Sequence, residues 1–132
     1  MCIFCEIIKG NIPSYKIYED DVCIAFLDIS QATIGHTLIV PKEHIPNIFS
    51  LNEKTAAHLF AVANKIAKKI SQELNIKDMN ILNNNGKLAG QTVEHFHIHL
   101  LPRYENDKLK IEFSDNELTK DQFNELLNKL KF

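Results

Sequence analysis

The chain carries no excess of charge: 15 Lys and Arg stand against 17 Asp and Glu over 132 residues, a formal net charge of −2. That balance excludes the basic footprint by which a protein grips duplex DNA or RNA, though not a small anion held by local donors. No stretch approaches the roughly 20 apolar residues of a membrane span. The first residues, Met1-Cys2-Ile3-Phe4-Cys5-Glu6, lack the basic start and apolar run of a secretory signal. Cysteines are few and odd in number, three in all, unlike a secreted disulfide framework. No internal repeat, low-complexity tract or compositional shift marks a linker. These absences lead to the expectation of one cytoplasmic domain spanning residues 1–132.

What is present is an ordinary globular composition, 45% apolar and 24% charged. Strand-like stretches, Lys16-Ile17-Tyr18 and Val22 to Leu27, flank the acidic turn Glu19-Asp20-Asp21, and Thr37 to Val40 is closed by Pro41. A long helix is predicted between about Asn52 and Leu74. Leu59, Phe60, Ala63, Ile66, Ala67, Ile70 and Leu74 recur there at helical spacing, with lysines on the other face. Ser50 with Glu53 forms a capping-box pattern, Asn52 is an alternative cap, and Asn75 is the stop. Met79 to Leu82 and Val93 to Leu101 read as strands around a Gly-containing loop. After an irregular polar stretch, 105–118, Thr119 with Gln122 opens a second helix whose apolar face is Phe123, Leu126, Leu127 and Leu130. The order of elements predicts an α+β fold: an antiparallel sheet of about five strands, one long helix and a C-terminal helix.

Half of the six histidines fall within His95-Phe96-His97-Ile98-His99. On a strand, Phe96, Ile98 and Leu100 face a core while the imidazoles share the opposite face, about 7 Å apart. Such a row places groups that titrate near neutrality on one rigid support, suited to a histidine nucleophile beside a protonated neighbour. From the triplet alone a three-histidine zinc site is an equal reading. Cys2-x-x-Cys5 has the spacing of half a structural zinc site, with a redox pair or two unrelated thiols as alternatives. Cys23, within an apolar run, reads as a small core residue.

Residues 95–101 match at every position His-φ-His-φ-His-φ-φ, with φ apolar, and the sequence resembles the histidine-triad (HIT) family over roughly residues 2–103. Cys2 to Ile8 with Ile12-Pro13-Ser14, Ala25 to Ile29, Gly35 to His44 and Gly90-Gln91-Thr92-Val93 extend the likeness. Residues 104–132 form a C-terminal extension outside it. The resemblance implies a HIT-like fold, usually homodimeric, that binds a purine nucleotide and splits it at the α-phosphorus. The nucleophile it implies is His97, forming a covalent nucleotidyl-histidine. His99 would act as a charged donor to phosphate and leaving group, His95 completing the triad. Asp28 would bind the ribose, with a turn aspartate as the plainer reading, and Ile29 would pack on the base. Asn84, Gly90, Gln91 and Thr92 would surround the phosphates and His36 would support the triad. His58 has no role in the resemblance and reads as a surface histidine.

Some members of the family hold zinc with residues matching Cys2, Cys5, His44 and His95, which would be a closed, structural site here. The expected substrate is a purine nucleoside phosphoramidate, as in the Hint branch, or a dinucleoside polyphosphate, as in the Fhit branch. The alternative is a nucleotide-binding regulatory or partner-binding protein with incidental hydrolysis. A neutral nucleophile beside a protonated acid further predicts a bell-shaped pH profile.

Overall fold

The computed structural model describes residues 1–132. Five antiparallel strands, β1 (Tyr15–Glu19), β2 (Cys23–Leu27), β3 (Thr37–Pro41), β4 (Met79–Leu82) and β5 (Ile98–Pro102), form one sheet in the order β1-β2-β3-β5-β4. The helices are α1 (Ile3–Ile8), α2 (Glu53–Leu74) and α3 (Lys120–Leu130). The expected α+β architecture is the observed one, with α1 as an addition: its six residues are too short for a helical repeat to show in the sequence. The second strand expectation, 93–101, starts later and ends one residue further on, because the ladder runs from Ile98 to Pro102. No helix is long and apolar enough to cross a membrane.

Why β2 and β3 read as unbroken apolar runs follows from their covering. One sheet face carries Cys23, Ala25, Ile39, Ile98 and Leu100 against Leu59, Val62, Ala63, Ile66 and Ile70 of α2. The opposite face carries Ile24, Phe26, Leu38 and Val40 under Phe4 of α1. A strand buried on both faces loses the apolar–polar alternation of a half-solvated one. Pairing places His99 opposite Leu38, so it belongs to the α1 face, while Ile98 and Leu100 point to α2.

α2 starts at Asn52, whose side chain accepts from the Thr55 amide at 2.8 Å, which selects Asn52 over Ser50 as the cap. It ends at Asn75 in the left-handed conformation. His58 is not a free surface group. Its Nε2 lies 2.7 Å from Asp20 Oδ2, which also accepts from Tyr18 Oη, while Asp20 Oδ1 accepts from the Val22 and Cys23 amides. Cys23 is fully buried beneath this turn.

Gly35 brings the loop 28–36 against the end of α2. Its φ is +95°, and a Cβ there would lie 2.7 Å from Leu74 Cδ1 and 3.1 Å from Pro102 Cγ. Gly35→Ala therefore adds left-handed strain to overpacking, and is expected to lower stability by about 2–4 kcal/mol. A urea titration checks this, and an unchanged midpoint would contradict it.

Candidate active site and metal centre

A hollow of about 320 Å³ opens on the α1 face of the sheet, within the size range of ligand pockets. Phe4, Ile12, Leu27 and Ile29 give it an apolar wall, and Asp28, His97 and His99 converge at its end. Asp28 Oδ1 accepts from the Ser30 amide at 2.7 Å, as a turn aspartate does. Its Oδ2 remains beside the histidines, 3.8 Å from His36 Nε2. Ile29 is 86% exposed at the mouth, an aliphatic surface without a partner in the chain.

The ring nitrogens can be assigned from their partners. His97 Nδ1 is 2.7 Å from the carbonyl oxygen of His95, so Nδ1 carries the proton and donates, leaving the Nε2 lone pair free. Asn83 Nδ2 donates to the His97 carbonyl at 2.9 Å and fixes the backbone of this segment. His36 Nδ1 accepts from the Ala32 amide at 3.2 Å, which places the His36 proton on Nε2. That Nε2–H then donates to His99 Nδ1 at 2.9 Å, and the His99 proton is left on Nε2. A backbone amide thus sets, through two imidazoles, which His99 nitrogen can donate.

Burial lowers the pKa of His97, partly opposed by the His95 carbonyl and Asp28. Burial also lowers that of His36, against the pull of Asp28. His99 falls to about 4, through burial first and then the proximity of His97 and His36. The charged His99 expected from the sequence is therefore corrected to a neutral donor at pH 7: desolvation and two neighbouring imidazoles disfavour its cation. An unfolded imidazole titrates near 6.5, so between about pH 6.5 and 4 the unfolded chain binds the proton that folded His99 refuses. The stability this group contributes is whole above pH 6.5 and is lost as pH falls toward 4. Urea midpoints should decline across that window, less steeply for His99→Gln; parallel slopes would contradict it.

His95 does not share the row. Its ring is fully buried and absent from the hollow, with Nε2 2.8 Å from the Pro41 carbonyl oxygen. Its bare Nδ1 faces Cys2 Sγ at 3.4 Å, Cys5 Sγ at 3.6 Å and His44 Nδ1 at 3.1 Å, with Cys5 Sγ 3.3 Å from His44 Nδ1. The four donor atoms lie within 4.8 Å of one another. A tetrahedral zinc with bonds of about 2.0–2.3 Å sets its donors roughly 3.3–3.8 Å apart, so this set fits with small adjustment. The Pro41 carbonyl supplies the outer hydrogen bond that metal-binding histidines take. An ion shared by His95, His97 and His99 does not fit, since their unprotonated nitrogens point to three different places. Only the His95 carbonyl, not its ring, reaches the reacting end.

The remaining candidates separate. Thr92 lines the hollow. The Gln91 side chain is spent as a brace, accepting from the Gly86 amide and donating to the Pro46 and Val93 carbonyls, so it is not a free phosphate donor. Gly90 turns the loop at φ +88°, and a Cβ there would lie 3.6 Å from Asn84 Nδ2. Among the three asparagines, Asn83 and Asn85 are hydrogen-bonded within the protein, and Asn84 has no side-chain partner. Phe4 is the residue the sequence reading missed: it packs edge-on to His97 at 5.1 Å and to His95 at 5.9 Å. Its position between Cys2 and Cys5 was the available signal.

Residues 9–106 match the family model of the HIT domain. Protein hit of Bacillus subtilis is 52% identical over 103 residues, 78% of this chain and 71% of that protein. Adenosine 5′-monophosphoramidase hnt1 of Schizosaccharomyces pombe is 40% identical over 102 residues, 77% of this chain and 74% of that one. Adenylylsulfatase HINT3 of Arabidopsis thaliana is 40% identical over 108 residues, 82% of this chain but 55% of that protein. Crystal structures of HIT family proteins from Bacillus anthracis and Bacillus subtilis superpose with TM-scores of 0.92 and 0.93. They are 49% and 42% identical, and each covers 98% of this chain and 94% of its own. A zinc-bound histidine triad family protein from Mycobacterium smegmatis gives 0.78 at 36% identity, over 97% of this chain and 91% of that one.

Proposed function

The chain belongs to the HIT-domain family, and on that premise we propose that it is a cytoplasmic, homodimeric nucleotide hydrolase that works through a covalent nucleotidyl-His97. The observation that carries the reading is the hydrogen bond from His97 Nδ1 to the His95 carbonyl, which leaves a neutral Nε2 facing a nucleotide-sized hollow. The relatives named adenosine 5′-monophosphoramidase and adenylylsulfatase support hydrolysis at an adenylyl phosphorus. The substrates proposed are purine nucleoside phosphoramidates or dinucleoside polyphosphates.

In this reading the base lies along Ile29 and Leu27, and Asp28 Oδ2 accepts from a ribose hydroxyl. Asn84 and Thr92 donate to the phosphates, with Gln91 and Gly90 shaping the loop that carries them. The His97 Nε2 lone pair forms a bond to the α-phosphorus as the P–N or P–O bond to the leaving group breaks. That group takes the electron pair, and an amine also takes a proton from water. Positive charge on His97 is spread to Nδ1–H and the His95 carbonyl, while His99 Nε2–H donates to the developing negative charge. Water then attacks phosphorus, the P–Nε2 bond breaks, AMP is released and His97 is restored. Cys2, Cys5, His44 and His95 would hold a zinc ion, which supplies structural cross-linking and no chemical step.

With His99 neutral at pH 7, no imidazolium is available to be lost above neutrality. The expected profile has an acid limb and no alkaline limb between pH 7 and 9, in place of the bell shape. His36 is a positioning residue in this scheme. His36→Ala should lower kcat about 10–100-fold with KM little changed, and His36→Gln, which can both accept and donate, should recover part of it. Equal losses in both variants would contradict the relay. The reading as a whole is tested by AMP release from adenosine phosphoramidate and diadenosine tetraphosphate with chelator present. Turnover of either supports it; cleavage of neither would favour the nucleotide-binding alternative.

A further inference from the structure

On the sheet face turned away from the nucleotide-sized hollow, three donors of different chemistry arrive from three elements. Asp20 sits in the β1–β2 turn, Cys23 is the first residue of β2, and His58 lies in the second turn of α2. The carboxylate oxygen, the sulfur and the ring nitrogen all lie within 4.8 Å of one another. His58 Nε2 is 2.7 Å from Asp20 Oδ2, and Cys23 Sγ is 3.8 Å from the same oxygen. The hydrolytic scheme uses none of the three.

The carboxylate is oversubscribed. Ionised, it offers about four lone-pair sites. Five donors reach Asp20: the Val22 and Cys23 amides at Oδ1, and Tyr18 Oη, His58 Nε2 and the Cys23 thiol at Oδ2. Three of them share one oxygen, and the thiol, the most distant, gains least. A metal ion that replaces the imidazole and thiol protons removes two donors from that oxygen and turns their atoms into ligands. The two anionic donors then neutralise a dication, which suits a place where Cys23 is fully buried and the Asp20 side chain is 23% exposed.

We propose that Asp20, Cys23 and His58 bind a second metal ion, a transition-metal dication of the zinc type, with its fourth position open to water. Thiolate, imidazole and carboxylate together favour that class over magnesium or calcium. Tetrahedral zinc sets nitrogen and oxygen about 3.3 Å apart, and sulfur and oxygen about 3.5 Å. The imidazole therefore draws back by roughly half an ångström and the thiol closes by less, shifts that side-chain torsions supply. Access is from outside: His58, Lys54, Thr55, Asp21, Val22 and Glu43 border a hollow of about 640 Å³. Asp21 and Glu43 outnumber Lys54 there, and Lys42 is held by Glu19 at 2.8 Å. From neutral His58, binding releases one proton, that of the thiol, while the imidazole proton passes through solvent to Nδ1. Burial and the Asp20 charge push that thiol up to about 12, so this site is weaker than the Cys2, Cys5, His44 and His95 cluster and fills after it. Bound, the ion cross-links α2 to the β1–β2 turn, which are otherwise joined by one hydrogen bond, His58 to Asp20.

Titrations of the full chain with zinc and with cobalt, against a chromophoric chelator, test this beside His58→Gln and Cys23→Ser. Glutamine and serine each keep a donor for Asp20, so both variants should fold, which metal-free urea midpoints verify. The wild type is expected to bind one more equivalent than either variant at micromolar free metal, the affinity of that equivalent falling at least about 100-fold on substitution. With cobalt, that equivalent should bring thiolate-to-metal charge-transfer absorption that Cys23→Ser lacks. The difference between wild type and variant counts this site alone, whatever Cys2 and Cys5 hold. Equal stoichiometry in the wild type and either folded variant would overturn the proposal, and His58→Gln decides by itself if Cys23→Ser does not fold. AMP release enters none of these readings, so the hydrolytic assignment stands or falls separately.

Discussion

Replacing His97 by alanine is expected to lower AMP release by at least about 10³-fold, with nucleotide binding largely retained. The magnitude follows from removing the atom that forms the bond: loss of a covalent nucleophile leaves only positioning and charge stabilisation, which elsewhere sustain a small residue of the rate. The retention follows from the hollow, where Ile29, Leu27 and Asp28 are untouched by the change. His97 is also a buried ring packed on Phe4, so the vacancy costs about 2–4 kcal/mol of stability. Rates are therefore compared well below the melting transition, beside His97→Gln, which fills more of the space. A variant within tenfold of the wild type would remove His97 from the chemistry.

The second large effect concerns the Cys2, Cys5, His44 and His95 cluster. Purified protein is expected to carry about one zinc ion per chain, and Cys2→Ser with Cys5→Ser to lose it, lowering stability by about 3–5 kcal/mol. The loss is smaller than the whole affinity of such a site, because the two apolar layers of the sheet persist without it. Its effect on turnover is indirect. His95 would lose its ligand bonds, and its carbonyl holds His97 Nδ1, so the zinc-free variant should keep measurable activity at low temperature. Metal content by atomic emission and a thermal scan check this. An unchanged melting temperature would dismiss a structural ion, and immediate loss of activity on chelation at unchanged stability would mean that metal acts in the reaction itself.

The histidine run and Cys-x-x-Cys were legible because they are dense and local. Their division of labour was not. Alternation on a strand put His95, His97 and His99 on one face, but β5 begins only at Ile98, and His95 turns to the thiols. Register in the run Asn83-Asn84-Asn85 could be told only by seeing which amides are spent. The protonation of His99 depends on His36 and the Ala32 amide, 63 or more residues distant in sequence and brought together by the β3–β5 pairing. The long helix and its stop at Asn75 were readable from periodicity and cap, since those signals lie within a few residues, whereas the choice between Ser50 and Asn52 at its start needed the Asn52 hydrogen bond. The stripe on α3 was equally readable as a helix face, but its standing clear of the body is a tertiary fact that no pattern within 119–132 records.

The central claim is the covalent nucleotidyl-His97. It is tested most directly by mixing enzyme with excess adenosine phosphoramidate, quenching with acid-free denaturant within the first turnover, and measuring intact mass with peptide mapping. The account predicts a chain heavier by one adenylyl group, mapped to the peptide containing His97 and absent from His97→Ala. Product formation through a full turnover with no such adduct, or an adduct that persists in His97→Ala, would contradict it.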